Sequence, residues 1–352
     1  MQTDRIVHVV HCHAEGEVGD VVVGGIAPPP GNSIWEQSRF IATDASLRDF
    51  LLNEPRGGLF RHVNLLVPAF DASAHSGFVI MEPEDTPPMS GSNSMCVAAV
   101  LLHTGQVPMD EPLTEVRIEA PAGTVRIDAS CRDNRVESLA LTNVASFVER
   151  RDAILQVPGV GELRVDTAFG GDSFVIVSAT DLGVDIRPDN ARALADLGRA
   201  VCAAANEQWT FEHPTLPDWT HFSFAYIVGD LLEEGGVLTS RNACAIKPGK
   251  IDRSPTGTGC SALLALLHDR GEISVGQEYR ARSIIDSAFD CSIVDTTVVG
   301  EHRAVIPRIV GRAWIYGTSQ YYLDPMDPWP SGYRLADTWP IHRSAQRDDE
   351  YV

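Results

Sequence analysis

Two segments of the sequence place a hydroxyl side chain directly before a glycine, at a point where a helix is predicted to begin. They start at Ser90 and Thr256, which are 166 positions apart, and close at Gly105 and Gly271, which are also 166 positions apart. Each segment continues with a second hydroxyl residue, an apolar stretch of helical length and a final glycine suited to a helix C-terminus. The repeat predicts two units of similar build, each contributing one loop and one helix.

The start of such a helix can hold a small anion. Its first backbone N–H groups have no partner within the helix, and the helix dipole adds positive potential there. The lysine of a nucleotide-binding P-loop is absent, so a carboxylate is the expected ligand. One segment alone would be read as an ordinary N-cap. Two copies in register favour a cleft in which a small carboxylic acid lies between Ser90 and Thr256.

Short strands are expected to predominate around these two helices. Runs of β-branched residues bounded by glycine or proline predict strands at residues 5–10, 20–23, 116–120, 124–127, 173–178, 221–228 and 304–316. A turn at Pro121-Ala122-Gly123 predicts a hairpin between two of them. Helical patterns are fewer and lie at residues 44–53, 95–103, 189–208 and 260–269. Together they predict an α+β architecture.

Length and charge exclude several classes of protein. The 352 residues exceed one ordinary core, so two domains are expected. The formal net charge of −20 opposes binding to nucleic acid or to an anionic membrane surface.

The ends and the cysteines indicate the compartment. The first residues lack the pattern of a signal peptide, and no apolar run approaches the ~20 residues of a membrane-spanning helix. Seven scattered cysteines without a Cys-x-x-Cys pair argue against a disulfide framework or a zinc site. A cytoplasmic protein without a metal is expected.

Two motifs carry a resemblance to the proline racemase family. The first reads Pro88-Met89-Ser90-Gly91-Ser92-Asn93. It resembles the family's Met-Cys-Gly-His segment, with Ser90 at the position of the catalytic cysteine. The second, residues 252–259, reads Asp-Arg-Ser-Pro-Thr-Gly-Thr-Gly and resembles the family's Asp-Arg-Ser-Pro-Cys-Gly-Thr-Gly, with Thr256 in place of the second cysteine. Further similar stretches lie at residues 13–17, 169–174 and 323–329, so the resemblance spans nearly the whole chain.

The resemblance implies the fold of diaminopimelate epimerase. This fold has two similar domains, each a curved, mostly antiparallel sheet around a central helix, with the active site between them. In the family's pattern the C-terminal strand returns to the first domain. Residues 1–125 plus 311–352 would then form the first domain, and residues 126–310 the second.

The resemblance also implies a substrate site without metal, pyridoxal phosphate or nucleotide. Backbone N–H groups of Gly91, Ser92, Gly257 and Thr258 would bind the carboxylate of a small imino acid. Asp252 would bind the ring amine. An aspartate before Arg-Ser-Pro could instead cap a turn, but a carboxylate beside two anion-binding helix ends suits a cationic ligand. Besides the substrate, a second copy of this chain in a homodimer is a candidate partner.

The departures from the family motifs point to the reaction. A racemase needs an acid and a base on opposite faces of Cα, usually two thiols, and here both positions carry hydroxyls. In trans-3-hydroxy-L-proline the Cα hydrogen and the 3-hydroxyl lie on one face of the ring, so Ser90 alone could remove the proton and return one to the departing hydroxyl. Family members with a hydroxyl residue at the position of Thr256 resemble the dehydratase branch. The expected activity is therefore trans-3-hydroxy-L-proline dehydratase, giving Δ1-pyrroline-2-carboxylate.

Two other functions remain open. One is an epimerase of 4-hydroxyproline, or a proline racemase-like enzyme, in which Thr256 or Cys260 opposes Ser90. The other is a non-catalytic protein that binds an imino acid. A serine base needs activation, for which His13, Glu15 and His103 are candidates. Cys260, one helical turn after Thr256, could reach the cleft or be a small buried side chain, and Cys96 is read as core. Phe174 and Trp219 are candidates for the apolar side of the pocket, or core residues.

Overall fold

A computed structural model describes residues 5–340 of the chain. Five α-helices lie there: α1 (Ile34–Thr43), α2 (Ser46–Leu52), α3 (Gly91–His103), α4 (Ala191–Gln208) and α5 (Gly257–Asp269). The strands are β1 (Arg5–Ala14), β2 (Glu17–Gly24), β3 (Arg61–Val67), β4 (Ser76–Met81), β5 (Leu113–Ala120), β6 (Gly123–Arg132), β7 (Arg135–Thr142), β8 (Ser146–Val157), β9 (Gly161–Phe169), β10 (Ser173–Ser178), β11 (Phe224–Val228), β12 (Leu232–Glu234), β13 (Val237–Ile246), β14 (Lys250–Ile251), β15 (Glu278–Arg282), β16 (Ala288–Val299), β17 (His302–Gly311) and β18 (Ala313–Leu323). A short 3₁₀ turn, Pro188–Asn190, precedes α4. The expectation of a strand-rich mixed fold with few helices is confirmed.

The repeated sequence segments form two equivalent helices. Helices α3 and α5 each have 13 residues, and both are buried along almost their whole length. Strands β1, β2, β7 and β18 pack around α3, while β8, β9, β16 and β17 pack around α5. Because both helices are apolar on all sides, they are stable only when enclosed in this way. Both end near a glycine in the left-handed region, Gly105 with φ 73° and Gly271 with φ 74°.

Most strand pairings within residues 5–340 are antiparallel. The predicted hairpin forms between β5 and β6, where Ala120 pairs with Gly123. The last strand, β18, pairs antiparallel with β1, from Arg5 opposite Leu323 to Ala14 opposite Ala313. Strand β7 pairs with both β6 and β17. One hydrophobic core contains side chains of both α3 and α5, and a second surrounds α4.

The division into residues 1–125 plus 311–352 and 126–310 stays a prediction. Residue 125 lies within β6 and residue 311 is the last of β17. Residues 1–4 and 341–352 of the predicted first domain lie outside the described residues.

Some elements differ from the sequence-based expectation. The predicted strand at 304–316 is two strands, because the backbone breaks at Arg312, whose N–H donates to Glu15 Oε1 and whose carbonyl accepts from Glu15 N. Helix α1 was not predicted. Its signal was present, since Ser33 Oγ accepts from Glu36 N at 3.1 Å and the Glu36 carboxylate accepts from Asn32 N at 2.7 Å.

Several side chains proposed from sequence lie in the core. Phe174 and Trp219 are fully buried, and Trp219 Nε1 donates to Ser173 Oγ at 3.2 Å. All seven cysteines are buried and unpaired. Within residues 5–340, no helix is both long and apolar enough to cross a membrane.

Candidate active site

The N-termini of α3 and α5 meet backbone to backbone. A Cβ added to Gly91 would lie 3.0 Å from Gly257 Cα, and one added to Gly257 would lie 3.1 Å from Gly91 Cα. A side chain at either position would force the opposite backbone to shift by a few tenths of an ångström, so glycine favours this approach. The contact brings Ser90 and Thr256, which directly precede the two glycines, to one place. Two positive helix ends then face each other, an arrangement that a bound anion stabilises.

Four backbone donors at this junction have no acceptor among residues 5–340. They are the N–H groups of Gly91, Ser92, Gly257 and Thr258, and all four residues are buried. The first bonds within the helices come later, from Ser94 N to Ser90 O at 3.0 Å and from Cys260 N to Thr256 O at 2.8 Å. Buried donors without a partner are costly, so the four N–H groups form a cradle suited to a carboxylate. The structure therefore brings together the four residues predicted to bind one.

Ser90 is the N-cap of α3, and its hydroxyl oxygen accepts hydrogen bonds. Ser90 Oγ accepts from Asn93 Nδ2 at 2.9 Å and from Asn93 N at 3.4 Å. It also lies 3.4 Å from Ser92 Oγ. Ser90 is half-buried, whereas Asn93 is fully buried. These donors, together with the helix end, favour negative charge on the Ser90 oxygen.

Thr256 is engaged in the opposite sense. Its hydroxyl donates to Asp252 Oδ2 at 2.7 Å, while Asp252 Oδ1 accepts from Ser254 N at 2.8 Å. Burial raises the pKa of Asp252 to about 8, and the charge of Glu17 adds to the rise. Thr256 has φ 64° and ψ 94°, a strained conformation for a β-branched residue. The Ser90 hydroxyl oxygen thus accepts hydrogen bonds, whereas the Thr256 hydroxyl donates a hydrogen bond to a carboxyl group.

A buried ionic cluster lies behind these two residues. Glu17 accepts from Lys250 Nζ and, at 2.7 Å, from Arg253 N. Burial opposes ionisation of Glu17, yet the charge of Lys250 and the Arg253 N–H hold its pKa at about 2. His62 Nε2 lies 3.6 Å from Glu17 Oε1, and His62 Nδ1 lies 3.7 Å from Glu82 Oε1. Burial and the charge of Lys250 lower the pKa of His62 to about 3, and burial raises that of Glu82 well above its usual range.

Sequence reasoning assigned no role to this cluster. Glu17 stood in one of the family-like stretches, residues 13–17, and His62 lies on a strand that the sequence analysis did not identify. Charged residues within otherwise apolar strands were the available signal, since such residues are rarely buried unless paired.

The candidates proposed to activate Ser90 make no hydrogen bond to its hydroxyl within residues 5–340. His103 is at the C-terminal end of α3, about 18 Å along the axis from Gly91. Glu15 binds Arg312, and His13 Nδ1 accepts from Gly16 N at 3.3 Å while its ring stacks on Trp314. Within residues 5–340, the side chains that hydrogen-bond Ser90 Oγ are those of Asn93 and Ser92.

The two cysteines of the motif helices are core residues. Cys260 is fully buried, its thiol donates to Pro255 O at 3.3 Å and it lies 3.4 Å from Tyr226 Oη. The structure therefore favours a packing role for Cys260 over a thiol in the cleft. Cys96 is also fully buried, as expected.

The segment at residues 169–174 packs against both motif loops. A Cβ on Gly171, which has φ 104°, would lie 3.0 Å from both Met89 Cγ and Thr258 Cγ2. The next residue, Asp172, is fully buried, and its Oδ1 accepts from Ser173 N at 2.6 Å. Its Oδ2 has no hydrogen-bond partner among the described residues. Burial raises the pKa of Asp172 to about 8, so this carboxyl group is largely protonated at neutral pH.

Comparison with known proteins gives consistent matches over the whole fold. A family model described as proline racemase matches residues 9–334. A hydroxyproline epimerase from Agrobacterium vitis, with bound trans-4-OH-L-proline, has 39% identity and a TM-score of 0.92, over 96% of this chain and 98% of that chain. A probable proline racemase from Agrobacterium radiobacter K84, with bound carbonate, has 38% identity and a TM-score of 0.91, over 95% and 98%. A phenazine biosynthesis protein of the PhzF family from Bacillus anthracis, 13% identical with a TM-score of 0.55 over 91% and 99%, shares the fold alone.

Proposed function

The chain belongs to the proline racemase family, and from this we propose that it acts on a hydroxyproline without a cofactor. The specific reaction in this proposal is the dehydration of trans-3-hydroxy-L-proline to Δ1-pyrroline-2-carboxylate. The observation that carries it is the opposite engagement of the two hydroxyls: Ser90 Oγ accepts hydrogen bonds, and Thr256 Oγ1 donates to Asp252.

Binding of the substrate would use both charges of an imino acid. Its carboxylate would accept hydrogen bonds from the buried N–H groups of Gly91, Ser92, Gly257 and Thr258, which otherwise lack acceptors among the described residues. Its ring ammonium would lie against Asp252. The ammonium would form an ion pair with Asp252. This ion pair would offset the burial that raises the pKa of Asp252, so the carboxyl group would ionise on binding.

The chemical step would need one base. Ser90 would take the Cα proton and return a proton to the 3-hydroxyl on the same ring face, which leaves as water. The Cα–H and C3–O bonds break, a Cα=C3 double bond forms, and Ser90 ends in its starting state. The enamine then gains a proton at C3 and loses one from nitrogen, giving the pyrroline. The Thr256 hydroxyl would stay hydrogen-bonded to Asp252 on the opposite face of the ring and would not exchange its proton with Cα.

Epimerisation is the second candidate, favoured by the 39% identity to the hydroxyproline epimerase from Agrobacterium vitis. In that reaction a proton must reach Cα from the face opposite Ser90. Thr256 would supply it, and after the product leaves Thr256 would regain a proton from water while Ser90 releases the one it removed, so both groups return to their starting states. A binding protein without catalysis would use the same cradle and the same aspartate. Homodimer formation and a cytoplasmic location remain predictions.

The test is incubation of the purified protein with trans-3-hydroxy-L-proline in deuterated water. Pyrroline, detected with o-aminobenzaldehyde, is expected with the wild type and with Cys260→Ala, and is expected to be absent with Ser90→Ala. In parallel, trans-4-hydroxy-L-proline is followed by optical rotation. Rotation change without pyrroline would replace the dehydratase by the epimerase. Binding with neither product nor deuterium at Cα would leave the binding protein.

A further inference from the structure

Asn93 links the hydroxyl of Ser90 to the buried cluster of Glu17 and His62. We propose that Asn93 is a positioning residue that lowers the pKa of the Ser90 hydroxyl, so that the deprotonated oxygen can act as the base. In this proposal His62 and Glu17 hold the Asn93 amide in the required orientation. This inference rests on the proposed function, because that function assigns the proton transfer to Ser90.

Hydrogen-bond partners determine the orientation of the Asn93 amide. Asn93 Nδ2 lies 2.9 Å from Ser90 Oγ and 3.4 Å from His62 Nδ1, so its two N–H groups have one acceptor each. Asn93 Oδ1 accepts from Asn64 Nδ2 at 2.8 Å. The flipped amide would place its NH₂ against the NH₂ of Asn64 and lose these bonds. Asn93 must therefore present a donor, not an acceptor, to Ser90.

The next two residues stabilise this arrangement. If His62 Nδ1 accepts from Asn93, the ring proton is on Nε2, which faces the Glu17 carboxylate at 3.6 Å, an electrostatic contact longer than a hydrogen bond. Glu17 in turn is held ionised by Lys250 and by the N–H of Arg253. The charged or titratable groups around these residues include Glu17, Lys250, Arg253, His62, Glu82 and Asp252. Lys250 and Arg253 lie on either side of Asp252 in the sequence. This series of contacts therefore connects the second motif to Ser90 in the first motif.

The effect on Ser90 follows from the charge on its oxygen. Negative charge on Ser90 Oγ is stabilised by the side-chain and backbone N–H groups of Asn93 and by the N-terminus of α3. Comparison of the two repeated segments shows that only the Ser90 segment has an asparagine at this position. The position equivalent to Asn93 in the second segment, 166 residues on, is Gly259, which has no side chain that could donate to Thr256, and within residues 5–340 the Thr256 hydroxyl donates to Asp252 instead.

A thiol probe tests the acidity without any substrate. In Ser90→Cys, the pH dependence of alkylation by iodoacetamide gives the thiolate pKa, and the parent protein, whose seven cysteines are buried, gives the background. We expect a value below the ordinary ~8.5 of a free cysteine. Adding Asn93→Leu, which keeps the volume but removes the donors, should raise it by about one unit or more. Adding His62→Gln should raise it by less, because the amide remains but is no longer held.

Matched controls separate a local effect from a general one. Asn93→Asp should raise the thiolate pKa further than Asn93→Leu, while Asn190→Asp, which adds the same charge before α4, should leave it unchanged. A thiolate pKa that is the same in both Asn93 variants as in Ser90→Cys alone would overturn the inference. Thermal unfolding checks that each variant is folded, and His62→Gln serves if Asn93→Leu is not.

Turnover adds an independent readout on the native serine. Asn93→Leu should lower kcat by about 10²-fold and shift the acidic limb of the pH profile upward. KM should change little, since the carboxylate cradle and Asp252 are untouched. If the wild type turns over no hydroxyproline, the proposed function fails, and the thiolate pKa still decides the role of Asn93. Equal kcat and an unshifted profile in Asn93→Leu would count against the role.

Discussion

Gly91 and Gly257 touch where the first turns of α3 and α5 face each other, although they lie 166 residues apart in the chain. A side chain on either would require the opposite backbone to shift by a few tenths of an ångström, since its Cβ would lie about 3 Å from the opposite Cα. The close approach aligns the buried N–H groups of both helices on one small volume. Glycine here serves the site, because each helix could begin with another residue if it stood alone.

Substitution of these glycines should weaken carboxylate binding. We expect Gly257→Ala and Gly91→Ala to reduce the affinity for pyrrole-2-carboxylate, a planar acid with no Cα proton, by at least tenfold, or about 1.4 kcal/mol. Gly24→Ala is the control, because its Cβ would lie 3.7 Å from His8 Cδ2, an ordinary contact. Calorimetric titration measures the affinities. Unchanged affinity in both Gly91→Ala and Gly257→Ala would show that carboxylate binding does not depend on the close contact between the two helices.

A thiol at position 256 should change the reaction. Thr256→Cys gives the face opposite Ser90 a group that exchanges protons near neutral pH, so epimerisation of trans-4-hydroxy-L-proline should appear or rise at least tenfold. Optical rotation follows the epimerisation and o-aminobenzaldehyde the dehydration. Thr256→Ser, which keeps a hydroxyl, is the matched control. An equal gain in both variants would show that backbone strain at φ 64°, not proton exchange, limits the second face.

Asp252 should make the ligand-free protein less stable as pH rises. Its pKa is about 8 in the folded protein and ~3.9 in the unfolded chain, so between these values the folded state binds the extra proton. The contribution of Asp252 to stability therefore falls from about pH 4 to about pH 8 and is constant above. Asp252→Asn removes this dependence, and its melting temperature relative to wild type should be higher at pH 8.5 than at pH 5.

Two comparisons check that prediction. Asp181→Asn, on an exposed loop after β10, should show no such difference between the two pH values. Asp252→Asn should also lose turnover, because a neutral amide cannot pair with the ring ammonium. A melting-temperature difference that is the same at both pH values would contradict the raised pKa.

The pair of Glu17 and Lys250 should be important for folding. Both side chains are almost completely buried, so Glu17→Gln leaves an unpaired cation in the interior and should cost about 3–5 kcal/mol of unfolding free energy. Glu17→Gln combined with Lys250→Met should recover part of the loss. Asp290→Asn, which breaks an exposed pair with Arg280, should cost less than about 1 kcal/mol. Urea unfolding measures all four proteins, and equal losses for the buried and exposed pairs would contradict this reading.

Local features of the sequence account for much of the fold. The predicted helix at 260–269 lies within α5, the predicted strand at 173–178 coincides with β10, and the hairpin at residues 121–123 forms as expected. These elements depend on hydrophobic periodicity and turn chemistry, which neighbouring residues determine. The predicted single strand at 304–316 was wrong because Glu15, almost 300 residues away, binds the backbone of Arg312 and divides it.

The sequence by itself showed that two helix-starting segments repeat, and its resemblance to the proline racemase family led us to expect Ser90 and Thr256 at the positions of the family's thiols and four N–H groups that could hold a carboxylate. Tertiary structure alone decided what surrounds them. The hydrogen bond from Thr256 to Asp252 forms within one loop, whereas Asn93 meets His62, and His62 lies next to Glu17, because β2, β3 and α3 pack together. Such contacts cannot be read from spacing, since polar residues on buried strands reveal their partners only when strands distant in the chain are neighbours in space.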